Sequence, residues 1–172
     1  RAALEGSVGD PPVHLVEIRE ALAGGHTGFA TFELNVGGSL TVDHAVFSLV
    51  GGAWLVSDYT ANIEQVPAPA GYDSVPVDLV DYGFKFDKSG IAPGDDIAFL
   101  PSNVGTEMHE MVLFKLPANL DLKAALNSEE EPPIEFLGAT VAAPGQTAPT
   151  LLVDSLAAGR YAMVCFFETE EG

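Results

Sequence analysis

One histidine and one cysteine in this 172-residue chain stand where a metal or redox centre could be assembled. His109 follows the turn Asn103-Val-Gly105 and opens the apolar run Glu110-Met-Val-Leu-Phe-Lys-Leu116. Cys165, the only cysteine, closes the run Tyr161-Ala-Met-Val-Cys165-Phe-Phe167. Imidazole and thiolate are both metal ligands, and two strand ends could bring them together, although such a pair alone makes a weak, open site. Each residue also has a plainer reading. A cysteine on an apolar strand is commonly a small core residue, and a histidine near Glu107 and Glu110 is commonly a solvated turn residue.

Other constellations carry less. His14, His26 and His44 are scattered without His-x-His or His-x3-His spacing, so a second metal site has no support. The adjacent carboxylates Asp95-Asp96 and Glu129-Glu-Glu131 send their side chains apart on a strand or loop and read as solvated. There is no Gly-x-Ser-x-Gly elbow, phosphate-binding glycine loop or zinc-protease motif. The sequence therefore gives no reason to expect an enzyme.

The elements that must position His109 and Cys165 read mostly as short strands. Phe29–Val36, Ser39–Val50 and Ala53–Ser57 are β-branched or aromatic runs separated by Gly-Gly pairs, a meander pattern. Residues Gln65–Ser74, with Pro67, Pro69 and Gly71, are turn-rich and predict a connection between two regions, residues 1–74 and 75–172. Further strands are expected within Val75–Phe86, Asp95–Leu100, Glu110–Leu116, Thr147–Val153 and Tyr161–Phe167, several of them alternating apolar and polar side chains. The one expected helix is Leu120–Leu126, with Asn119 placed to cap its first turn and its leucines facing the sheet. The charged, proline-stopped stretch Ser128–Pro133 predicts a solvated loop. Phe29–Leu49 loosely echoes Ile97–Leu116, as a degenerate second unit or as any two half-buried strand pairs would. The sum is an all-β chain, an antiparallel β-sandwich from about Val75 onward preceded by a β-rich N-terminal region.

Bulk composition excludes some functions. With 25 acidic and 7 basic residues the formal charge is −18, which repels nucleic-acid phosphate and attracts basic patches on other proteins. The same acidity also serves solubility alone. At 47% hydrophobic residues the chain can fill a core, and a single cysteine forms no intramolecular disulfide. No apolar run approaches the ~20 residues of a membrane span. Because the sequence opens on Arg1, attachment through a segment ahead of it stays open.

The order Asp81-Tyr-Gly-Phe-Lys-Phe86, Ala92-Pro-Gly-Asp-Asp96, Asn103-Val-Gly-Thr-Glu-Met-His109, helix, Ala143-Pro-Gly-Gln146 and Ala158-Gly-Arg-Tyr-Ala-Met-Val-Cys165 resembles bacterial plastocyanin-like domains of the cupredoxin family. The resemblance spans roughly Val75–Gly172. It implies a Greek-key sandwich, copper as cofactor, His109 and Cys165 as two of its ligands, and Asn103 as a brace between the two ligand loops. A further histidine and a methionine complete the family's set and would fall beyond Gly172. Met108 and Met111 could be proposed as the thioether ligand but lie beside His109 in sequence, and Met111 and Met163 read as packing residues. The implied function is extracytoplasmic, periplasmic or extracellular, single-electron transfer with a redox partner protein or membrane-bound complex. The alternative is a copper-free accessory or docking subunit of a membrane-associated electron-transfer assembly.

Overall fold

Residues 12–62, 65–126 and 133–167 are described by the structure, a computed structural model, and their regular secondary structure is nearly all strand. The first region is a four-stranded meander: β1 (Val13–Gly24), β2 (Thr27–Val36), β3 (Ser39–Val50) and β4 (Ala53–Asn62). After a connection come β5 (Asp73–Val80), β6 (Gly83–Lys85), β7 (Ile97–Asn103), β8 (His109–Leu116), a short helix α1 (Leu122–Leu126), β9 (Glu135–Ala142), β10 (Thr150–Val153) and β11 (Arg160–Val164). Two sheets result. The larger runs β1-β2-β3-β10-β7-β5-β6 with β4 also on β3, and the smaller runs β11-β8-β9.

The apolar residues between the sheets explain why they pack. Val75, Val77 and Leu79 of β5, Ile97 and Phe99 of β7, and Leu151 and Val153 of β10 meet Met111 and Leu113 of β8 in one buried cluster. Period-two alternation puts the intervening residues on the opposite faces. Ala98 and Leu152 thus join Leu40, Val42 and Val66 behind the larger sheet. Val112, Phe114 and Leu116 lie behind the smaller one, covered by Leu120, Leu122, Phe136 and Phe166. With both faces of β8 covered, its near-continuous apolar sequence is accounted for.

The all-β expectation holds, with local corrections. β1 and β9 were not expected. β1 carries two register irregularities, at Leu15/Glu17 and Ile18/Glu20, that break its alternation, and β9 is interrupted at Gly138 beside the irregularity at Leu113/Phe114. The run Val75–Phe86 is a hairpin of β5 and β6, turned at Asp81-Tyr82 with Tyr82 at φ 67°. Nor is the packing antiparallel throughout: β5 pairs with β7 in parallel, because residues 86–96 carry the chain back to the end where β5 began. Asp121, not Asn119, caps α1, since its Oδ1 accepts the Ala124 amide at 3.1 Å. Asp95 and Asp96 are not simply solvated; their carboxylates accept the Ala92 amide at 2.6 Å and the Ser155 amide at 2.7 Å, fixing the turn ahead of β7. The loop predicted at Ser128–Pro133 lies outside the described residues apart from Pro133.

The meander is fused to the sandwich. Ser39 and Leu40 pair with Leu151 and Thr150 of β10. Ser39 Oγ donates to the Ala139 carbonyl of β9 at 2.5 Å. The turn before β3 lies so close to β9 that a side chain at Gly38 would come within 2.6 Å of the Leu137 carbonyl, and Gly38 is itself at φ 90°. The connection is pinned to the other face: Gln65 Nε2 donates to the Pro101 and Ala148 carbonyls at 2.8 and 3.1 Å, and Thr150 Oγ1 donates to the Val66 carbonyl.

Replacing Gly38 with alanine combines a left-handed backbone with a backbone clash, and is expected to destabilise the fold by about 2–4 kcal/mol. Gly51→Ala, at φ 60° but with open space around the position, should cost only about 1 kcal/mol. Urea denaturation of the two variants checks the difference.

Candidate metal centre

Strand parity brings the two sequence-selected donors to one place. On β8, His109 shares the inward face of Met111 and Leu113; on β11, Tyr161 and Met163 face the same way, and Cys165 follows one step beyond the strand. His109 and Cys165 line a common cavity of about 370 Å3, with Tyr82, Phe84, Met108 and Met163 among its other walls. His109 is buried, not a solvated turn residue, and Cys165 is half-buried. Met111 is wholly buried in the core, as expected of a packing residue.

Both donors are held. His109 Nε2–H donates to Asp81 Oδ1 at 3.0 Å. In the neutral ring this leaves the lone pair on Nδ1. Cys165 Sγ accepts the Glu110 amide at 3.4 Å, and the Glu110 carboxylate accepts the Phe166 amide at 3.3 Å. Glu110 thereby straps the cysteine segment to the histidine strand from both its backbone and its side chain. The thiolate is the form of cysteine that binds metals and carries redox chemistry.

Asn103 braces one ligand loop, not both. Its Nδ2 donates to the Glu107 carbonyl at 2.8 Å and the Ala142 carbonyl at 2.9 Å, while its Oδ1 accepts the Gly105 amide at 2.9 Å. Its backbone bonds to Gln146 and Gly145 tie the same loop to the turn between β9 and β10. These bonds rigidify residues 103–109 but do not reach the cysteine segment, a task that falls to Glu110.

Asp81 and Glu110 are the site residues that sequence reasoning missed. Asp81 stands in the β5–β6 turn, where it also accepts the Thr106 amide and hydroxyl, each at 2.9 Å. Those bonds, the Thr106 amide first and the His109 ring next, hold its carboxyl at about 2, below the ordinary 3.8. Gly105 is required by this packing, since a side chain there would sit 2.4 Å from Asp81 Oδ1 and 2.6 Å from His109 Nε2. The left-handed Tyr82 beside Asp81 reflects a turn that aims the carboxylate back at the loop, but no spacing along the chain reveals that the target is 28 residues away.

In kind, the donors suit a soft or borderline metal: a thiolate and an imidazole at the edge of a mostly apolar cavity, with the imidazole oriented by a carboxylate. In number they are a partial set. Among the described residues, no three of His, Cys, Asp and Glu converge as a metal-binding group. A larger groove of about 590 Å3 adjoins the cavity, sharing Phe84 and Met163; its walls are mostly apolar, with Lys88 the charged residue among them. No helix among the described residues is long and apolar enough to cross a membrane. No family model, curated protein or solved structure matches this chain.

Two outcomes are expected of the loop. Asp81 has a folded pKa below its unfolded one, so its contribution to stability is complete above about pH 4 and is lost as pH falls through about 2. The Thr106 amide resonance should titrate with that low midpoint, and Asp81→Asn should abolish the transition. Asn103→Ala removes three side-chain hydrogen bonds from a buried position and should destabilise the fold by about 2–4 kcal/mol, measured by thermal or urea unfolding.

Proposed function

We propose that this chain belongs to a cupredoxin-type electron-transfer protein in which His109 and Cys165 are two of the copper ligands. The observation that carries the reading is their shared cavity, with the sulfur accepting an amide from the residue that follows the histidine. Copper bound there would supply a one-electron couple. The protein's own residues would hold the imidazole through Asp81, hold the thiolate through Glu110, and keep the histidine loop rigid through Asn103, so that little rearrangement accompanies a change of charge. A histidine and a methionine beyond Gly172 would complete the set. On this reading the protein works outside the cytoplasm, and its charge of −18 steers it to a basic patch on a redox partner.

A copper-free accessory subunit is the second reading. It is favoured by the four strands ahead of the sandwich, which a bare electron carrier does not require.

Sequencing of the native carboxyl end by mass spectrometry, followed by Cu(II) titration of the native protein, separates the two. The electron-transfer reading expects a histidine and then a methionine after Gly172. It also expects an intense visible thiolate-to-copper band that vanishes in Cys165→Ala and is strongly altered in His109→Ala. A native chain that carries both further ligands and stays colourless overturns it.

A further inference from the structure

One face of the four-stranded meander is nearly all apolar, and among the described residues no other element covers it. Cross-strand register assigns each side chain to a side. Val13, Leu15 and Ile18 of β1, Phe32 and Leu34 of β2, Phe47 and Leu49 of β3, and Trp54, Val56 and Tyr59 of β4 all fall on one face. The other face of these strands carries His14, Glu17, Glu20, Thr31, Glu33, His44 and Asp58. It is a mixed face: Leu22, Phe29, Val46, Val50 and Leu55 share it, Leu40 and Val42 are buried on it against Val66, Arg19 is paired to Glu33, and His44 is hydrogen-bonded to Thr31 at 2.9 Å. Yet Leu15, Ile18 and Val56 on the apolar face are each more than half exposed, at 59%, 57% and 58%.

Continuity of the sheet makes this face more than a scattered apolar surface. Because Ser39 pairs with Leu151, it is the same side of the larger sheet that, at β10, β7 and β5, is covered by β11-β8-β9. The covering layer ends at β9, where Ser39 meets Ala139. Beyond that point the described residues form one layer in place of two.

We infer that a second copy of this chain supplies the missing layer, its own β1–β4 face packing against this one about a two-fold axis. The geometry is self-complementary: two such faces make a four-on-four sandwich, the ordinary way one twisted sheet covers another. Four strands ~4.8 Å apart and about ten residues long present roughly 600 Å2 in projection, which side-chain relief raises toward the ~800 Å2 per partner of a standard stable interface. A shallow depression floored by Ala21, Ala23, Gly28 and Ala30, between Phe47 and Trp54, gives an aromatic knob from the facing copy a place to seat. Charge does not oppose it locally. Asp43 is the one acidic or basic side chain on this face of the described strands, and it is buried and hydrogen-bonded by the Tyr59 hydroxyl. A basic partner would find nothing here to pair with, and the free edge of β1 is kinked by its two irregularities, so the face and not the edge is the contact.

Sedimentation equilibrium of the chain at about 1–100 μM tests this. The expected result is a dimer whose dissociation constant falls when NaCl rises from about 0.1 to 1 M, because salt screens the repulsion between two chains of −18 while leaving apolar burial intact. Val56→Glu should weaken association by at least about 100-fold, since two uncompensated carboxylates would be buried. Leu55→Glu, the neighbouring and equally exposed residue on the opposite face, should leave the dimer unchanged and controls for folding, with circular dichroism of both variants compared to the parent. A monomer across the whole range overturns the proposal, including one that instead binds neutral lipid vesicles. So does a dimer that Val56→Glu leaves intact or that both variants weaken alike.

Discussion

The short ladder between β3 and β10 is the constraint on which the rest of the molecule depends. Two residue pairs, Ser39 with Leu151 and Leu40 with Thr150, join the meander to the sandwich and fix which side of every strand faces which layer. A slip of one residue would exchange the two faces of β1–β4. It would also bring Ser39 away from β9 and Leu40 out of the cluster with Val42, Val66 and Leu152. The close approach of Gly38 to Leu137 locks this register sterically, and the bonds from Gln65 and Thr150 lock it from the other face.

The candidate metal centre depends on the same alternation applied in the smaller sheet. β8 and β11 are in register from Val112–Val164 to Leu116–Arg160, so the inward parity of Leu113 and Met163 extends to His109 and Cys165 at the open end. Their chemistry is then set by neighbours from elsewhere in the chain. A carboxylate from the β5–β6 turn orients the imidazole, and the Glu110 amide contacts the sulfur. Asn103 uses its full amide to hold the loop that delivers His109, and the bonds to two carbonyls and one amide account for a polar side chain that is 1% exposed. The result is an end of the sandwich cross-braced by hydrogen bonds from three separate segments.

Charge is kept off one face of the meander. The acidic excess gives the whole molecule a strong negative field, yet the inward-facing side of β1–β4 is nearly free of ionisable groups. The Tyr59–Asp43 contact is where these two demands meet: the phenol is pushed up to about 12, chiefly by its hydrogen bond to the carboxylate. The other short phenol–carboxylate contact, Tyr72 with Asp154, is likewise raised to about 12 and ties the inter-region connection to the end of β10.

Local pattern carried much of this into view. The glycine pairs and alternating runs of 29–57 predicted β2, β3 and the start of β4, and the apolar run after His109 predicted β8, because side-chain period and turn chemistry are properties of neighbouring residues. His109 and Cys165 were legible as candidate ligands through the order of segments that resembles cupredoxins, since singly each reads as a turn or core residue. β1 and β9 were hidden because register irregularities disrupt the period on which recognition rests. Only the tertiary structure decided that β5 and β7 run parallel, that Asp81 reaches a histidine 28 residues on, that Glu110 meets a sulfur 55 residues on, and that among the described residues nothing covers one face of the meander. Those features arise from pairing between distant strands. Such pairing is selected by the packing of a shared core, and a local sequence pattern supplies the faces without stating what they will meet.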